Sequence, residues 1–370
     1  MTVYLLLILS IFFLMALDKN GKKLTNDKKR SNCILLFAFI LIYLVCVLRN
    51  PSVGRDIPGY REAYEWTRKT TFNDFDYVYF EKGYILLMKI CIKLGLSFQG
   101  FFAVAYTIIL YPIYLFIKRY STDKLFSAII YICYISFEFN LTGLRQAIAI
   151  SIVLLSFIAL LEAQKFSKVL YVLLVLIAAS FHKSAYIALV FLPVAAIPSL
   201  SWYTASMILG TIIGLFSRRY LFAYIKNLFG KESFSLDAGL HIGGNIVFMV
   251  AITAFAIYVL YMQNKANRSG CAANTPEKTE HFKIYNFMLK VFMFGIVLAM
   301  FFGEETSARS FMFFSQSIMV LIPNLCNAFD KSSKIILKSI FVLFFVIFFY
   351  FNTLNANNFD IVPYRFFWKA

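Results

Sequence analysis

Residues 33–48 read CILLFAFILIYLVCVL, an unbroken apolar run preceded by Lys28, Lys29 and Arg30 and closed by Arg49. It lacks the apolar–polar alternation that marks a strand of an outer-membrane barrel. Apolar blocks of this kind, roughly 14 to 22 residues long, recur along the chain, and that is the length a helix needs to cross a bilayer. The composition extends the reading to the whole molecule. Of 370 residues, 61% are hydrophobic and 15% charged, against about 25% charged in a typical soluble domain. Mean hydropathy is +0.73. A soluble globule of this size hides only about 75% of the surface its unfolded chain exposes, so a water-soluble enzyme is excluded. So is a disordered chain. The fold class expected is all-α: a polytopic integral membrane protein, one transmembrane domain over residues 1–370.

The net charge of +17, from 36 Lys plus Arg against 19 Asp plus Glu, is read topologically, because basic residues collect in cytoplasmic loops. No polar domain interleaves basic and aromatic residues to hold a nucleic acid. The cluster Lys19, Lys22, Lys23, Lys28, Lys29 and Arg30 is expected inside, which puts both termini outside. Alternation then gives about twelve spans: 3–17, 33–48, 98–117, 125–139, 147–161, 169–181, 185–197, 202–216, 243–262, 284–302, 311–327 and 335–351. The outer loop 49–97 carries a short amphipathic segment, 84–96, expected to lie in the membrane interface with Lys89 and Lys93 on its wet face. A second outer loop, 217–240, has enough apolar residues for another interfacial helix.

Charges at membrane depth are costly and usually functional, so polar residues that interrupt apolar blocks are the candidates. Arg145 and Gln146 lie in a polar break between two spans, and His182 sits between two more. Glu304, Glu305 and Arg309 share a late turn, Arg49, Arg55, Asp56 and Glu81 come from the first outer loop, and Arg365 lies in the C-terminal tail. On the expected topology all face outward. Plainer readings exist beside these: snorkelling for Arg145, an interfacial anchor for Arg49, a boundary hydrogen bond for His182, a structural ion pair for Arg309. Asp74-Phe75-Asp76 matches a D-x-D pattern, yet two aspartates at that spacing are common in loops; no metal is expected there. His241 and His281 have no ligand partners at helical spacing. The six cysteines form no C-x-x-C pair, so neither a zinc site nor a disulfide framework is implied.

Gly54-x-Asp56 followed by Tyr60, Glu81-x-Gly83-Tyr84, Leu144-Arg145-Gln146, Phe181-His182-x-Ser184, a late Arg309 and Pro363-Tyr364 occur in that order over nearly the whole chain. In this ordered set the chain resembles the EpsG family of bacterial polysaccharide-synthesis membrane proteins, which belongs with the Wzy-type O-antigen and capsule polymerases. The resemblance implies an inner-membrane enzyme that joins undecaprenyl-diphosphate-linked oligosaccharide units on the periplasmic face. It implies no cofactor, a bilayer setting, and a flippase and chain-length regulator as pathway partners. Without a metal, arginines must hold the leaving diphosphate: Arg145 and Arg309 first, Arg49 and Arg365 next. A base must take the acceptor proton, with His182, Asp56 and Glu81 as candidates. Gln146, Tyr60, Tyr84 and Glu305 complete the expected substrate contacts. A lipid-linked oligosaccharide flippase is the alternative; a membrane acyltransferase would need its histidine near a cytosolic donor.

Overall fold

Capping residues and helix breakers fix where the apolar blocks become helices. Ser97 caps the helix Phe98–Tyr120 by accepting from the Gly100 amide at 3.2 Å, and Asp123 caps the helix Lys124–Cys133 by accepting from the Phe126 amide at 3.2 Å. Such caps satisfy amides that the first helical turn leaves open. The computed structural model describes residues 1–20, 27–75, 79–162, 164–197, 199–229, 250–259, 261, 276–301 and 304–368. Among these the secondary structure is helical apart from one antiparallel bridge between Arg49 and Phe366. The expected all-α class holds. Five helical segments are long and apolar enough to cross a membrane: Lys29–Val47, Phe98–Tyr120, Leu144–Leu161, Phe282–Met300 and Lys331–Asn355. Shorter apolar helices accompany them.

The described chain divides into two compact units. The first, Met1–Tyr186 with Lys331–Ala370, contains α1 (Thr2–Asn20), α2 (Asp27–Val47), α3 (Ile57–Thr67), α4 (Lys82–Lys93), α5 (Phe98–Tyr120), α6 (Lys124–Cys133), α7 (Ile135–Asn140), α8 (Leu144–Leu161) and α9 (Ser167–Phe181). A 3-10 turn, Lys183–Tyr186, follows α9, and α16 (Lys331–Phe348) runs into a π-helical turn, Phe349–Asn355. α8 is the centre of this unit, packed by α5 and α9, while α1 and α16 both rest on α6. Burial follows that order: 78% of the α8 segment is buried against 11% of Lys331–Asn355, so α16 presents most of its apolar surface outward. The second unit, Ile187–Asp330, holds α10 (Ile187–Ala195), α11 (Leu200–Phe229), α12 (Val250–Val259), α13 (Pro276–Phe301), α14 (Glu304–Ser315) and α15 (Ile318–Cys326). α10, α11, α14 and α15 all pack on α13.

Four local expectations change. The block 125–139 is two helices, because Tyr134 is extended (φ −106°, ψ 164°) and separates α6 from α7. The block 311–327 likewise breaks between α14 and α15. Residues 217–229 continue α11 instead of opening a loop; neither Gly nor Pro occurs between Gly214 and Gly230, so nothing local stops the helix. The rest of that expected loop, 230–240, lies outside the described residues. Lys89 also departs from its expected wet face. It is 4% exposed, because the preceding loop folds over α4. Its ammonium donates to the carbonyls of Thr71 at 2.7 Å and Phe72 at 2.9 Å, and to that of Asp74. Lys93, one turn on, stays exposed.

Candidate functional site

The first unit brings three ionisable side chains from separate segments together at helix ends. Glu81 immediately precedes α4, Arg145 lies in the first turn of α8, and His182 caps the C-terminus of α9. One Glu81 oxygen accepts from the Arg145 guanidinium at 2.5 Å. The other lies 3.3 Å from His182 Nδ1 and accepts from the Lys183 amide at 3.2 Å. The side chains are mostly buried, 11% exposed for Glu81, 18% for His182 and 21% for Arg145. Burial pushes the Glu81 carboxyl up, but His182 and Arg145 outweigh it and hold it at about 2, below its ordinary 4.5. Glu81 is therefore a fixed anion. An arginine in the first turn of a helix opposes the helix dipole, and Glu81 offsets that cost while holding the guanidinium in place.

Aromatic rings wall the cluster. The Arg145 guanidinium sits 4.3 Å from the Phe80 ring centre and 6.0 Å from that of Tyr60, a cation–π arrangement worth roughly 0.5–2 kcal/mol. Tyr60, Phe80 and Tyr84 are mutually in contact with centroids 5.5–5.6 Å apart. Tyr84 is fully buried with its hydroxyl unpartnered, and Arg145 Nε and Ser184 Oγ are buried without a partner as well. Buried polar atoms of this kind are costly when left unmatched. Burial pushes the Tyr60 hydroxyl up despite the adjacent Arg145, so it remains a neutral donor.

Two glycines make the assembly possible. A Cβ on Gly83 would meet Ser180 Oγ at 2.3 Å and the Ser180 carbonyl oxygen at 2.7 Å. Only a residue with no side chain lets α4 approach the end of α9 closely enough for Glu81 to reach His182. Gly54 has φ +103° and lies where a Cβ would meet the Leu141 carbonyl oxygen at 2.5 Å. The loop it shapes docks on the α7–α8 turn, with the Asp56 amide donating to Thr142 Oγ1 at 3.0 Å. The C-terminal tail holds the same loop from the other side: Asn50 donates to the Arg365 carbonyl at 2.8 Å, Gly54 to Asp360 at 2.8 Å and Arg55 to Phe359 at 2.9 Å.

The remaining sequence candidates differ in their surroundings. Asp56 is exposed at the start of α3, four residues before Tyr60. Gln146 is buried beside Arg145 in α8. Arg365 is exposed and contributes its backbone carbonyl. Arg49 is 0% exposed; its guanidinium donates to the Leu141 carbonyl and, at 2.5 Å, to the Tyr106 hydroxyl, with the Phe102 ring centre 5.3 Å away. It ties the end of α2 to the α7–α8 turn. Arg309 is exposed on α14 of the second unit. The Glu305 side chain and all of Asp76 lie outside the described residues, while Asp74 is exposed. Among the described residues no cluster of three or more His, Cys, Asp or Glu is arranged to hold a metal ion. Phe80 and Gly83 were not singled out from sequence; Gly83 was visible only as part of the Glu81-x-Gly83-Tyr84 pattern.

Searches of curated proteins and of solved structures returned no match. The EpsG family model matches residues 32–366, a span that takes in most of α2, the loop after it, the Glu81–Arg145–His182 cluster and the tail that holds that loop. That family is assigned to polysaccharide polymerisation of the Wzy type. An apolar helical chain with a buried ionic cluster at its helix ends, matched over nearly its whole length, is an integral membrane protein that belongs to the EpsG family.

Proposed function

We propose that the protein polymerises oligosaccharide units carried on undecaprenyl diphosphate, at the periplasmic face of the bacterial inner membrane, with about twelve spans and both termini outside. The observation that carries this reading is the joining of Arg145, Glu81 and His182 into one buried cluster. The family assignment supplies the reaction class. Among the family's reactants the leaving group is a lipid diphosphate, and a guanidinium in the first turn of a helix, where backbone amides also point outward, suits concentrated phosphate charge.

In this mechanism the acceptor hydroxyl oxygen attacks the anomeric carbon of the lipid-linked chain. The bond from that carbon to the phosphate oxygen breaks, and the electron pair leaves on the diphosphate beside Arg145. The hydroxyl proton passes to His182 Nε2. Glu81, beside Nδ1, orients the ring and stabilises the imidazolium that forms. With its pKa near 2, Glu81 is too weak a base to take that proton at neutral pH, so it is a positioning residue. On this reading Tyr60 and Asp56 contact sugar hydroxyls, and Arg145 takes the charge-neutralising role that a divalent ion has elsewhere.

The test is polymerisation of purified lipid-linked units by the full chain in proteoliposomes. A ladder of products in excess EDTA is expected. Arg145→Ala should lower the rate about 10²–10³-fold, the usual effect of losing one transition-state donor. Arg145→Lys should recover little of it, since an ammonium lacks the planar fork. Translocation of the units without any ladder would replace this reading with a flippase.

A further inference from the structure

The opposite end of the first unit carries a second feature. There α1 and α16 lean on α6 and leave an open cavity of about 1040 Å³ between them. That this end is opposite follows from connectivity. Lys124 at the start of α6 bonds Asn32 near the start of α2, whereas Gln99 at the start of α5 bonds the Val47 and Arg49 carbonyls at the far end of α2. Five cationic side chains line the cavity, Arg30, Lys124, Lys331, Lys334 and Lys338, against two carboxylates, Asp18 and Asp123. Asp123 is already committed, capping α6 and pairing with Lys338. Arg30 donates to the Leu17 carbonyl at 3.0 Å and closes the α1–α2 corner.

The cations and the apolar lining are not mixed at random. Along α16 the cavity residues Lys334, Lys338, Val342 and Val346 follow one another every four positions, so they form one stripe. Its cationic half is at the helix start and its apolar half runs inward. On α1 the apolar residues Met15 and Phe12 likewise lie deeper, while the residue at the end is a carboxylate, Asp18. A free inorganic anion would need only the cationic half. A ligand with a phosphate head and a hydrocarbon chain uses both.

We propose that this cavity binds an anionic phospholipid of the adjacent leaflet, its phosphate held by Lys331 and Lys334 with their cationic neighbours and an acyl chain laid along Val342 and Val346. The proposal is independent of the catalytic reading, because it uses no residue of the Glu81 cluster. Basic pockets between membrane helices gain affinity from each Lys or Arg near an anionic headgroup.

The experiment is a titration of the purified full chain in neutral detergent, read by native mass spectrometry. The probes are phosphatidylglycerol, phosphatidylcholine with the same acyl chains, and inorganic phosphate. Phosphatidylglycerol should form a discrete adduct and phosphatidylcholine should not. Lys331→Gln with Lys334→Gln should weaken that adduct at least about tenfold. Lys165→Gln with Lys168→Gln, at the same end but outside the cavity, should leave it unchanged. Lys331, Lys165 and Lys168 are exposed and Lys334 is half-buried, and a matched melting temperature confirms that each variant is folded. Val342→Trp, which fills the acyl slot, should weaken phosphatidylglycerol as well. The proposal is overturned if the Lys331 and Lys334 variant binds phosphatidylglycerol like the parent. Equal binding of phosphatidylcholine, displacement of the lipid by millimolar inorganic phosphate, or an unaffected Val342→Trp would each overturn it too.

Discussion

Glu81 is where the electrostatics of the site converge. It is an anion between a guanidinium, an imidazole and a backbone amide. Glu81→Gln keeps the shape but removes the charge, leaving Arg145 buried beside a neutral amide. Loss of a charged hydrogen bond at such a position costs about 1.5–3 kcal/mol. The sign with pH follows from the depressed pKa. The carboxylate's contribution is complete above its ordinary value of 4.5 and is lost as pH falls through about 2. Melting temperatures of parent and Glu81→Gln should therefore differ at neutral pH, and the gap should close between pH 4.5 and about 2. A gap that is constant across that window would mean that the carboxylate is not held by its neighbours. Arg49 offers a contrast at the same scale. It too is a buried arginine, but its donors go to a carbonyl and a tyrosine hydroxyl, and its work is to hold a turn.

At the scale of elements, the site depends on how closely α4 meets α9. Gly83 sits against the Ser180 backbone, which cannot rotate away as a side chain can. Gly83→Ala should push the helices apart, with an overpacking cost of about 1–3 kcal/mol. Separation at this point draws Glu81 away from His182 and Lys183. The variant is expected to insert in the membrane and lose polymer synthesis. Adding Ser180→Ala should not restore it, because the 2.7 Å contact is with the Ser180 carbonyl oxygen. Recovery in that double variant would show that only the hydroxyl is in the way. The break at Tyr134 belongs to the same scale. It puts Glu138 at a buried position where one continuous helix was expected, and Asn140 and Thr142, just beyond that block, are buried as well. Asn140 donates to the Tyr131 hydroxyl at 2.9 Å, and Thr142 receives the Asp56 amide.

For the molecule as a whole, the charges of the first unit bear on its orientation. The end with Lys118, Arg119, Lys124, Lys165, Lys331 and Lys338 is rich in cations. At the other end basic residues alternate with Asp56, Glu62, Glu65, Asp74, Glu81 and Asp360. The positive-inside tendency then predicts that the Glu81 cluster faces outside. Cysteines introduced at Ser52 and at Lys165 in a cysteine-free background test this directly. In intact spheroplasts a membrane-impermeant thiol reagent should label position 52 and spare position 165. The reverse pattern would put the cluster in the cytoplasm and remove the periplasmic mechanism.

The amino-acid sequence alone determined the class of the molecule. Long apolar blocks with few charges leave no option but helices that satisfy their own backbone in lipid. The same economy of charge made Arg145, Glu81 and His182 visible, since so few polar residues interrupt the apolar blocks and each interruption stands out. Sequence could not say which of the candidates meet. Glu81 and Lys183 are 102 positions apart, and whether they touch depends on the approach of α4 to α9, a property of packing and not of either segment. Nor could it show that Arg49, at the end of an apolar block, and Lys89, expected on the wet face of a short helix, are both buried. Their carbonyl partners come from chain segments that reach them only once the loops have folded over, and only the tertiary structure decides which polar groups are left to face a substrate.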